Sequence, residues 1–386
     1  MKYASWMNKV GESFIGEMLR AAQNPEMISF AGGLPALELF PDRELREAFQ
    51  KVFEEQGRAA LQYSETAGFP RLREWIASQH SRNQRPARIS EVIITTGSQQ
   101  GLSLLAQTFL DPGDTVFLET PTYLGAIQAF EGFRANFQMI PSDEEGIIPS
   151  ELEKALSVTT PKFLYLIPNY QNPSGKIMGL TRRKELLKVA QKYNLLLVED
   201  NPYGELRFEG DPLPNLADLG ENVVYLGTFS KILAPGLRVG YVVGDEDIIA
   251  HLEQTKEGVD LHSNNLTQRA VYEYLSQGYL PEHIQRLREV YGVRRNAMVD
   301  AIHTHLGDKV EIIVPKGGLF LWAKLIGKDN SFDYVQEMIQ HNVLYVPGAL
   351  FYADGRVSNE MRLNYSCSTP DIIEEGVKRL ARGLSK

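Results

Sequence analysis

A lysine that follows a buried-looking strand is the first candidate for chemistry in this chain. Lys231 lies in the run GTFSKILAPGLR (227–238), directly after the apolar residues 223–226. A partly desolvated lysine loses its proton more easily than an exposed one and can then form a Schiff base with an aldehyde. Ser230 and Arg238 add a hydroxyl and a guanidinium, which suit a phosphate group. A strand-end lysine in an ordinary polar loop would also fit this pattern.

A second group of polar residues could form an anion site. Ser98, Gln99 and Gln100 follow the predicted strand 92–95 through Gly97 and open an apolar helix. The free backbone N–H groups and the dipole at a helix N-terminus attract anions such as phosphate. A serine that only caps the helix would give the same sequence, so an unliganded N-cap at Ser98 is an equal alternative.

Residues that could hold an aromatic heterocycle follow two further predicted strands. Asp200 stands at the carboxyl end of one strand, where a carboxylate could hold a proton on a pyridine nitrogen and make that ring an electron sink. An aspartate that forms a turn before Pro202 is the alternative. Asn172, in the segment PNYQNPSG (168–175), and Tyr203 could both hydrogen-bond one phenolic oxygen, although Asn-Pro-Ser-Gly is also a common tight turn.

Two other side chains could contact a flat, anionic ligand. Tyr123 follows Glu119-Thr120-Pro121-Thr122 and could stack on a ring, although an aromatic residue at such a place more often belongs to the core. Arg362 lies in the predicted strand MRLNY (361–365), where its fork of donors suits a carboxylate; a surface ion pair is the alternative. Together, these candidates supply what a phosphorylated pyridine aldehyde requires.

Short strands alternate with helices in the middle of the chain, and these elements must position the candidates. Apolar residues recur at helical spacing within 102–109 and 186–190. The strand-like runs are Val92–Thr95, Thr115–Leu118, Phe163–Ile167, Leu195–Val198, Val223–Leu226 and Val239–Val243. Several are apolar at consecutive positions, as in strands buried on both faces. This pattern predicts a mainly parallel α/β sheet whose ligands lie beyond the carboxyl ends of the strands.

Both ends of the chain differ from the middle and predict a second domain. The first forty residues contain a polar amphipathic helix and then the turn FAGGLP (30–35). After about Pro281, long amphipathic helices lead into the strand-like runs Val310–Val314, Gly318–Trp322, Leu344–Val346 and Met361–Asn364. We therefore predict a large ligand-binding domain at 45–285 and a small discontinuous α+β domain formed by 1–44 and 286–386.

Composition excludes several classes of function. The chain has 386 residues, with 40 Lys plus Arg and 49 Asp plus Glu, so its formal net charge is -9. This excess of negative charge argues against binding to nucleic acid or to anionic membranes. The single cysteine, Cys367, excludes an intramolecular disulfide framework, and the histidines show no metal-site spacing. Neither a secretory signal nor an apolar run of about 20 residues is present, so we predict a cytoplasmic protein without a metal.

The ordered set of motifs resembles the fold-type I, pyridoxal-phosphate-dependent aminotransferases of class I/II. Within that family it is most similar to the bacterial branch with the 2-aminoadipate and the kynurenine/aromatic aminotransferases. The resemblance implies a large domain with a mainly parallel seven-stranded sheet and a small α+β domain. The motifs that carry it are FAGGLP (30–35), LQYSETAGFPRLREWI (61–76), TTGSQQGL (95–102), ETPTYLGAIQAF (119–130), YLIPNYQNPSG (165–175), VEDNPYGELRF (198–208), LGTFSKILAPGLRVGY (226–241), PKGGLFLW (315–322) and MRLNYS (361–366).

The resemblance also implies roles for individual residues. Lys231 would bond covalently to the pyridoxal 5'-phosphate aldehyde, Asp200 would pair with the ring nitrogen, and Tyr123 would stack on the ring. Arg362 would bind the α-carboxylate of the substrate, helped by Asn172 and the backbone at Gly33. The ring hydroxyl would be held by Asn172 and Tyr203, and the phosphate by Ser98, Gln99, Ser230 and Arg238, with Thr228 in place of a serine found in many relatives.

A homodimer with shared active sites is implied as well, because Tyr63 would reach the phosphate of the partner subunit.

One departure from the family pattern bears on the choice of substrate. Where aminoadipate-type relatives can place an arginine on the first helix, this chain has Gly16, near Ser13 and beside Glu17, which would repel an anion. This argues against strict aminoadipate specificity and favours a broad, aromatic or aliphatic donor range; a 2-aminoadipate-type donor is the alternative. Glutamate and 2-oxoglutarate would be accommodated in another way, such as by Arg20.

Amino transfer between an L-amino acid and a 2-oxo acid is the function that this resemblance implies. A lyase would share the residues that hold pyridoxal phosphate, so it remains an alternative. The effector domain of a transcription regulator with the same fold is an alternative of a different class. Such a regulator carries a winged helix ahead of this domain, whereas about thirty residues precede Phe30 here.

Overall fold

The computed structural model describes residues 24–385, in which short strands alternate with helices. The strands are β1 (Ile28–Ser29), β2 (Ser81–Arg82), β3 (Arg85–Pro86), β4 (Val92–Thr95), β5 (Thr115–Glu119), β6 (Asn136–Ile140), β7 (Ser142–Asp143), β8 (Gly146–Ile147), β9 (Phe163–Leu166), β10 (Leu197–Asp200), β11 (Val223–Thr228), β12 (Gly240–Val243), β13 (Val310–Ile313), β14 (Phe320–Leu325), β15 (Val343–Leu344), β16 (Val346–Pro347) and β17 (Glu360–Asn364). The helices are α1 (Asp42–Ala60), α2 (Pro70–Gln79), α3 (Ser98–Phe109), α4 (Leu124–Glu131), α5 (Pro149–Leu156), α6 (Leu180–Lys192), α7 (Leu216–Leu219), α8 (Glu246–Asp260), α9 (Asn265–Ser276), α10 (Leu280–His305), α11 (Val335–Gln340) and α12 (Pro370–Gly383).

A central sheet of seven strands has the order β4-β12-β11-β10-β9-β5-β6. Adjacent strands in this sheet run parallel to each other, except that β12 runs antiparallel to both of its neighbours, β11 and β4. Every residue of β4, β9, β10 and β11 is buried, which explains their unbroken apolar runs. The prediction of a mainly parallel, seven-stranded α/β sheet is confirmed.

The carboxyl ends of the parallel strands lie along one edge of this sheet, and the connections that leave that edge carry the candidate residues. Because β12 is antiparallel, its amino end lies at the same edge, so the connection from β11 to β12 both starts and finishes there. Ligand sites of α/β proteins form at this edge, where the loops converge. The topology therefore gathers residues that are far apart in the sequence.

A second sheet, with the antiparallel order β13-β14-β17-β16, lies in the C-terminal part of the chain. The N-terminal segment joins this part, since β1 pairs parallel with β15 and the amide of Asn364 donates to the carbonyl of Phe30 at 2.8 Å. A continuous apolar core includes Leu226 of the central sheet, Tyr291 of α10 and Leu321 of β14. The domain boundaries at 44/45 and 285/286 stay a prediction.

The structure corrects several local expectations. The edge strand β6 has no counterpart among the apolar runs, because its polar residues Asn136 and Gln138 interrupt the pattern. The run Leu195–Val198 forms a strand two residues later, at Leu197–Asp200, and Leu344–Val346 divides between β15 and β16. The helices expected after Pro281 are the single helix α10, of 26 residues. The amphipathic helix expected near the N-terminus lies outside the described residues.

Two features are absent from residues 24–385. No helix in that part of the chain is both long enough and apolar enough to cross a membrane. The same residues contain no group of three or more histidine, cysteine, aspartate or glutamate side chains that could hold a metal ion.

Candidate active site

Lys231 lies in the connection between β11 and β12, three residues after the last strand residue, Thr228. Its Nζ donates to the carbonyl oxygen of Gly33 at 2.7 Å. Burial, together with the positive charges of Arg362 and Arg238, lowers the pKa of Lys231 to about 8. Because the amine is neutral under mildly alkaline conditions, it can act as a nucleophile and as a base.

We expect this lowered pKa to be visible in the reactivity of the cofactor-free protein. Only the neutral amine reacts with formaldehyde, so methylation of Lys231 in the presence of borohydride should be half-maximal near pH 8, whereas an ordinary lysine gains reactivity up to about pH 10.4. Mass-spectrometric mapping of the modified peptide between pH 6 and 11 measures this. Arg362→Gln, which removes one neighbouring positive charge, should move the midpoint upward. A Lys231 midpoint near pH 10 in the unaltered protein would contradict the expectation.

Asp200 is the last residue of β10 and is buried. Its Oδ2 accepts a hydrogen bond of 2.8 Å from the hydroxyl of Tyr165, but its Oδ1 is buried without a partner among the described residues. Burial raises the pKa of Asp200 to about 7. A buried oxygen without a donor is costly, so the site is complementary to a ligand that brings an N–H group to Oδ1.

An anion cradle lies at the start of α3. Gly97 occupies the N-cap position with φ of +78°, and Ser98 is the first helical residue, so the alternative in which Ser98 only caps the helix is wrong. A Cβ at Gly97 would lie 2.5 Å from the guanidinium of Arg238, which leaves room only for glycine. Arg238 donates to the carbonyl of Thr96 at 3.2 Å, beside the free N–H groups of the helix.

Side chains with neutral polar groups complete this part of the site. The hydroxyl of Thr228 donates to the Oγ of Ser230 at 3.0 Å and also accepts from the amide of Ser230. The Nε2 of Gln99 donates to the carbonyl of Gly125 at 2.7 Å, while the hydroxyl of Tyr123 donates to Gln99 Oε1 at 3.4 Å. Burial raises the pKa of Tyr123, so this phenol remains protonated at neutral pH.

Arg362, in β17, is buried and has no carboxylate partner in the described part of the chain. Its Nη1 donates to Asn172 Oδ1 at 2.8 Å and its Nη2 to the carbonyl of Ala31 at 2.7 Å, while Nε has no partner within residues 24–385. The ring of Phe320 lies 4.2 Å from Cζ. Burial lowers the pKa of Arg362 to about 10, so the group is charged at neutral pH. An unpaired buried cation is suited to a carboxylate ligand, and among the described residues Arg362 forms no surface ion pair of the kind considered above.

These residues meet in one cavity of about 990 Å³. It brings together nearly all of the predicted site residues, which are Gly33, Ser98, Gln99, Tyr123, Asn172, Asp200, Tyr203, Thr228, Ser230, Lys231, Arg238 and Arg362. Tyr63 does not line this cavity; its side chain is 77% exposed and its ring packs edge-on against His262, with centroids 5.7 Å apart. Ser13 and Gly16, with the neighbouring Glu17 and Arg20, lie outside the described residues.

Several residues in and around the site were not among the predicted ones, and three of them are buried aromatic or carboxyl side chains. Tyr165 binds Asp200, Phe320 covers the guanidinium of Arg362, and the buried carboxyl of Glu119 accepts from the amide of Ile167 at 2.9 Å. All three lie within the motifs quoted above, at 165–175, 315–322 and 119–130. Only their position in the motifs could have indicated them, because nothing in the local pattern distinguishes them from ordinary core residues.

Comparison with known proteins identifies the family. The model for "Aminotransferase class I and II" matches residues 25–380. The chain belongs to the class I and II aminotransferases. It is 41% identical to a 2-aminoadipate transaminase of Thermus thermophilus, over 100% of this chain and 98% of that protein. It is also 40% identical to aromatic-amino-acid aminotransferase 1 of Thermococcus litoralis, over 97% of this chain and 92% of that protein.

A solved structure of an alpha-aminoadipate aminotransferase from Thermus thermophilus, complexed with N-(5'-phosphopyridoxyl)-L-leucine, is similar throughout. Its TM-score is 0.93 and its sequence identity 40%, with coverage of 99% of this chain and 97% of that chain. Membership of the family confirms the predicted fold class, pyridoxal-phosphate-dependent transamination and pyridoxal 5'-phosphate as cofactor. These names support transamination and not the lyase or regulator alternatives.

Proposed function

We propose that this aminotransferase takes the amino group from L-amino acids with uncharged, apolar or aromatic side chains, with 2-oxoglutarate and glutamate as the other substrate pair. The observation that supports this most is that the Lys231 amine and the Arg362 guanidinium, which lacks a carboxylate partner in the described chain, line one cavity. Arg362 can bind the carboxylate that all amino acids and 2-oxo acids share. The cavity wall then selects among their side chains.

We propose the following roles for the residues that surround pyridoxal phosphate. Asp200 holds a proton on the ring nitrogen through its free Oδ1, and Tyr123 stacks on the ring. Asn172 and Tyr203 bind the ring hydroxyl. The phosphate is bound by the start of α3 and by the β11–β12 connection, through Ser98, Gln99, Thr228, Ser230 and Arg238. When bound, pyridoxal phosphate supplies an aldehyde for the amino group and a ring that accepts electrons.

Lys231 moves the proton in this proposal. With its pKa lowered to about 8, Nζ has a substantial neutral fraction near pH 7 to 8 and can take a proton from the α-carbon of the substrate. The ammonium that results can return the proton at the other end of the reacting system. Arg362 fixes the orientation of the α-carbon by holding the neighbouring carboxylate, helped by Asn172 and by the backbone at Gly33.

The described cavity wall supports an uncharged substrate side chain. Its apolar contributors are Met27, Leu34, Leu37, Leu124 and Val346. Its cationic side chains are Lys231, Arg238 and Arg362, and each already has a proposed partner. No cation of the described lining is therefore left for a second carboxylate, and an unpaired carboxylate against apolar residues is unfavourable. For the distal carboxylate of 2-oxoglutarate and glutamate we propose Arg20 as the partner, a residue that lies outside the described part of the chain.

A spectral titration of the purified enzyme with a panel of amino acids tests the donor assignment. Leucine, phenylalanine and tyrosine should bleach the absorbance of the bound cofactor at concentrations about 10-fold lower than 2-aminoadipate, because burying an unpaired polar group costs about 1–3 kcal/mol. As a control, Arg362→Gln should weaken all donors to a similar degree, since the α-carboxylate is common to them. Strongest bleaching by glutamate and 2-aminoadipate would overturn the assignment.

We also propose that the enzyme is a homodimer in which Tyr63 contributes to the cofactor site of the partner. Tyr63 lies near other exposed apolar side chains, Leu61 at 70% and Leu261 at 51% exposure. Asn265 ties these segments together by donating to the carbonyls of Ala59 and Gln62. Exposed apolar groups that cluster beside a functional site are typical of an interface. The cytoplasmic location remains a prediction.

A further inference from the structure

A buried ion pair lies behind the start of α3, and no role proposed above uses it. Lys256 of α8 is 0% exposed, and its Nζ contacts Oδ1 of Asp260, one helical turn later. Burial lowers the pKa of Lys256, while Asp260 acts in the opposite direction. A buried ammonium is tolerated only when it is paired and hydrogen-bonded, so the carboxylate of Asp260 is held in place here.

A chain of hydrogen bonds leads from this ion pair to the anion cradle. Asp260 Oδ2 accepts from Nε2 of Gln100 at 2.7 Å, and Gln100 Oε1 accepts from the backbone amide of Thr96 at 2.7 Å. Thr96 precedes Gly97 directly, and its carbonyl oxygen accepts from Arg238 at 3.2 Å. The ion pair is thus connected to the turn that presents both Arg238 and the first N–H groups of α3, through the side chain of Gln100 and through a longer bond of 3.5 Å from the Thr96 hydroxyl to Asp260 Oδ2.

The turn is held partly by its own hydrogen bonds, since the amide of Gly97 donates to the carbonyl of Thr95 at 2.9 Å and the hydroxyl of Thr95 donates to the carbonyl of Gly97 at 2.9 Å. Gly97 adopts φ of +78°, and glycine populates many other conformations at little cost, so neighbouring groups must select this one. The space is also narrow, because a Cβ at Gly97 would lie 2.5 Å from the Arg238 guanidinium and one at Gly240 would lie 2.7 Å from the amide nitrogen of Ser98. A small shift of the turn would therefore misplace the phosphate-binding groups.

We propose that Gln100 and Asp260 are positioning residues for the cofactor phosphate. With Lys256 they hold the Thr96–Ser98 turn in the conformation that aims the helix N–H groups and Arg238 at the phosphate. The inference rests on the proposed roles of Ser98 and Arg238 and adds residues that touch neither cofactor nor substrate. We call Gln100, Asp260 and Lys256 the brace. The distinctive consequence of the proposal is that the brace affects the affinity only for ligands that carry a phosphate.

Gln100→Met tests the proposal, because it removes the 2.7 Å hydrogen bond to the backbone amide of Thr96 and leaves the Lys256–Asp260 pair intact. Dissociation constants of the cofactor-stripped full-length chain are measured for pyridoxal 5'-phosphate and for pyridoxal, which has the same ring and aldehyde but no phosphate. We expect the affinity for pyridoxal 5'-phosphate to fall about 10-fold, consistent with the loss of a hydrogen bond to a charged group, and the affinity for pyridoxal to change less than about 2-fold.

Gln107→Met is the matched control, since it makes the same substitution at an exposed position of the same helix and should alter neither affinity. Asp260→Asn is a second variant, because Lys256 donates to Oδ1 and Gln100 to Oδ2, and the amide replaces one of these two acceptors with an NH₂ donor; it should lower the phosphate-dependent affinity as well. An equal loss for both vitamers, or an unchanged affinity for pyridoxal 5'-phosphate in both brace variants, would overturn the proposal. If the unaltered chain bound neither vitamer, the proposed function itself would fail instead.

Discussion

Replacing Lys231 with alanine should lower the rate of amino transfer by about 10⁴-fold or more. The change removes both the amine that bonds to the aldehyde and the base that moves the α-proton, and proton transfer alone is worth up to about 10⁴-fold. The phosphate cradle does not depend on this side chain, so the variant should still bind pyridoxal phosphate. Turnover with a coupled assay for the 2-oxo acid product, together with the absorption spectrum, measures both properties.

Labelling with borohydride identifies the lysine that bonds to the cofactor. Reduction should attach the cofactor to the peptide that contains Lys231 in the unaltered enzyme and to no lysine of Lys231→Ala. Lys176→Ala is a suitable control, because Lys176 is also a partly buried lysine, bonded to the carbonyl of Asp143 outside the large cavity. Undiminished labelling or turnover in Lys231→Ala would contradict the assignment of the covalent site.

Mixed dimers extend the same experiment to the shared site. A Lys231→Ala chain retains Tyr63, and a Tyr63→Phe chain retains Lys231, so a mixed dimer has one site with both groups only if Tyr63 acts across the interface. We expect such mixtures to recover activity above that of either variant alone. If Tyr63 acts within its own chain, no recovery will occur.

Replacing Asp200 with asparagine should lower kcat by about 10³-fold, the upper range for the loss of one preorganised electrostatic group. The side chain keeps its shape and can still accept the bond from the Tyr165 hydroxyl, but it no longer supplies a negative charge to balance a protonated ring nitrogen. Without that positive partner, burial raises the pKa of Asp200 to about 7; a proton on the ring nitrogen should lower it again. Single-turnover kinetics of the half-reaction with leucine measure the effect.

Glu119→Gln provides the matched control for Asp200→Asn. Glu119 ends the strand β5, is buried, and has a pKa raised to about 8 by its burial, so its carboxyl is largely neutral at pH 7. Its bonds from the Ile167 amide and from Gln171 can be kept by an amide oxygen. We expect a change of less than about 3-fold. Equal losses in the two variants would show that Asp200 matters for packing rather than for charge.

Local sequence patterns predicted much of the central sheet because its strands are buried on both faces. The run Val92–Thr95 forms a strand with the predicted bounds, and the run at 223–226 continues to Thr228. Parallel strands place their carboxyl ends at one edge, so polar residues after those strands could be expected to meet there. Asp200, Asn172 and Lys231, which follow different strands, are therefore expected from the sequence alone to lie close together.

Other features depend on contacts that no local pattern records. The edge strand β6 is only partly buried, so its sequence lacks the apolar run that marked its neighbours. The pairing of Arg362 with Asn172 joins positions 190 residues apart, and the ring of Phe320 reaches Arg362 from a different strand. The orphaned Oδ1 of Asp200 is a property of packing, which sequence reasoning could not supply.

The antiparallel strand β12 has a consequence for how substrate is admitted. A crossover between parallel strands would need a dozen or more residues and usually a helix. Because β12 is antiparallel to β11, the loop between them returns directly to the same edge of the sheet, and this one loop contains both Lys231 and Arg238. In the proposed roles, Lys231 bonds to the aldehyde of the cofactor and Arg238 binds its phosphate. The distance between these two groups is thereby set within a single hairpin. Gly33 and Arg362, the proposed contacts of the substrate, lie outside this hairpin, so an amino acid that enters the cavity meets residues from separate segments of the chain.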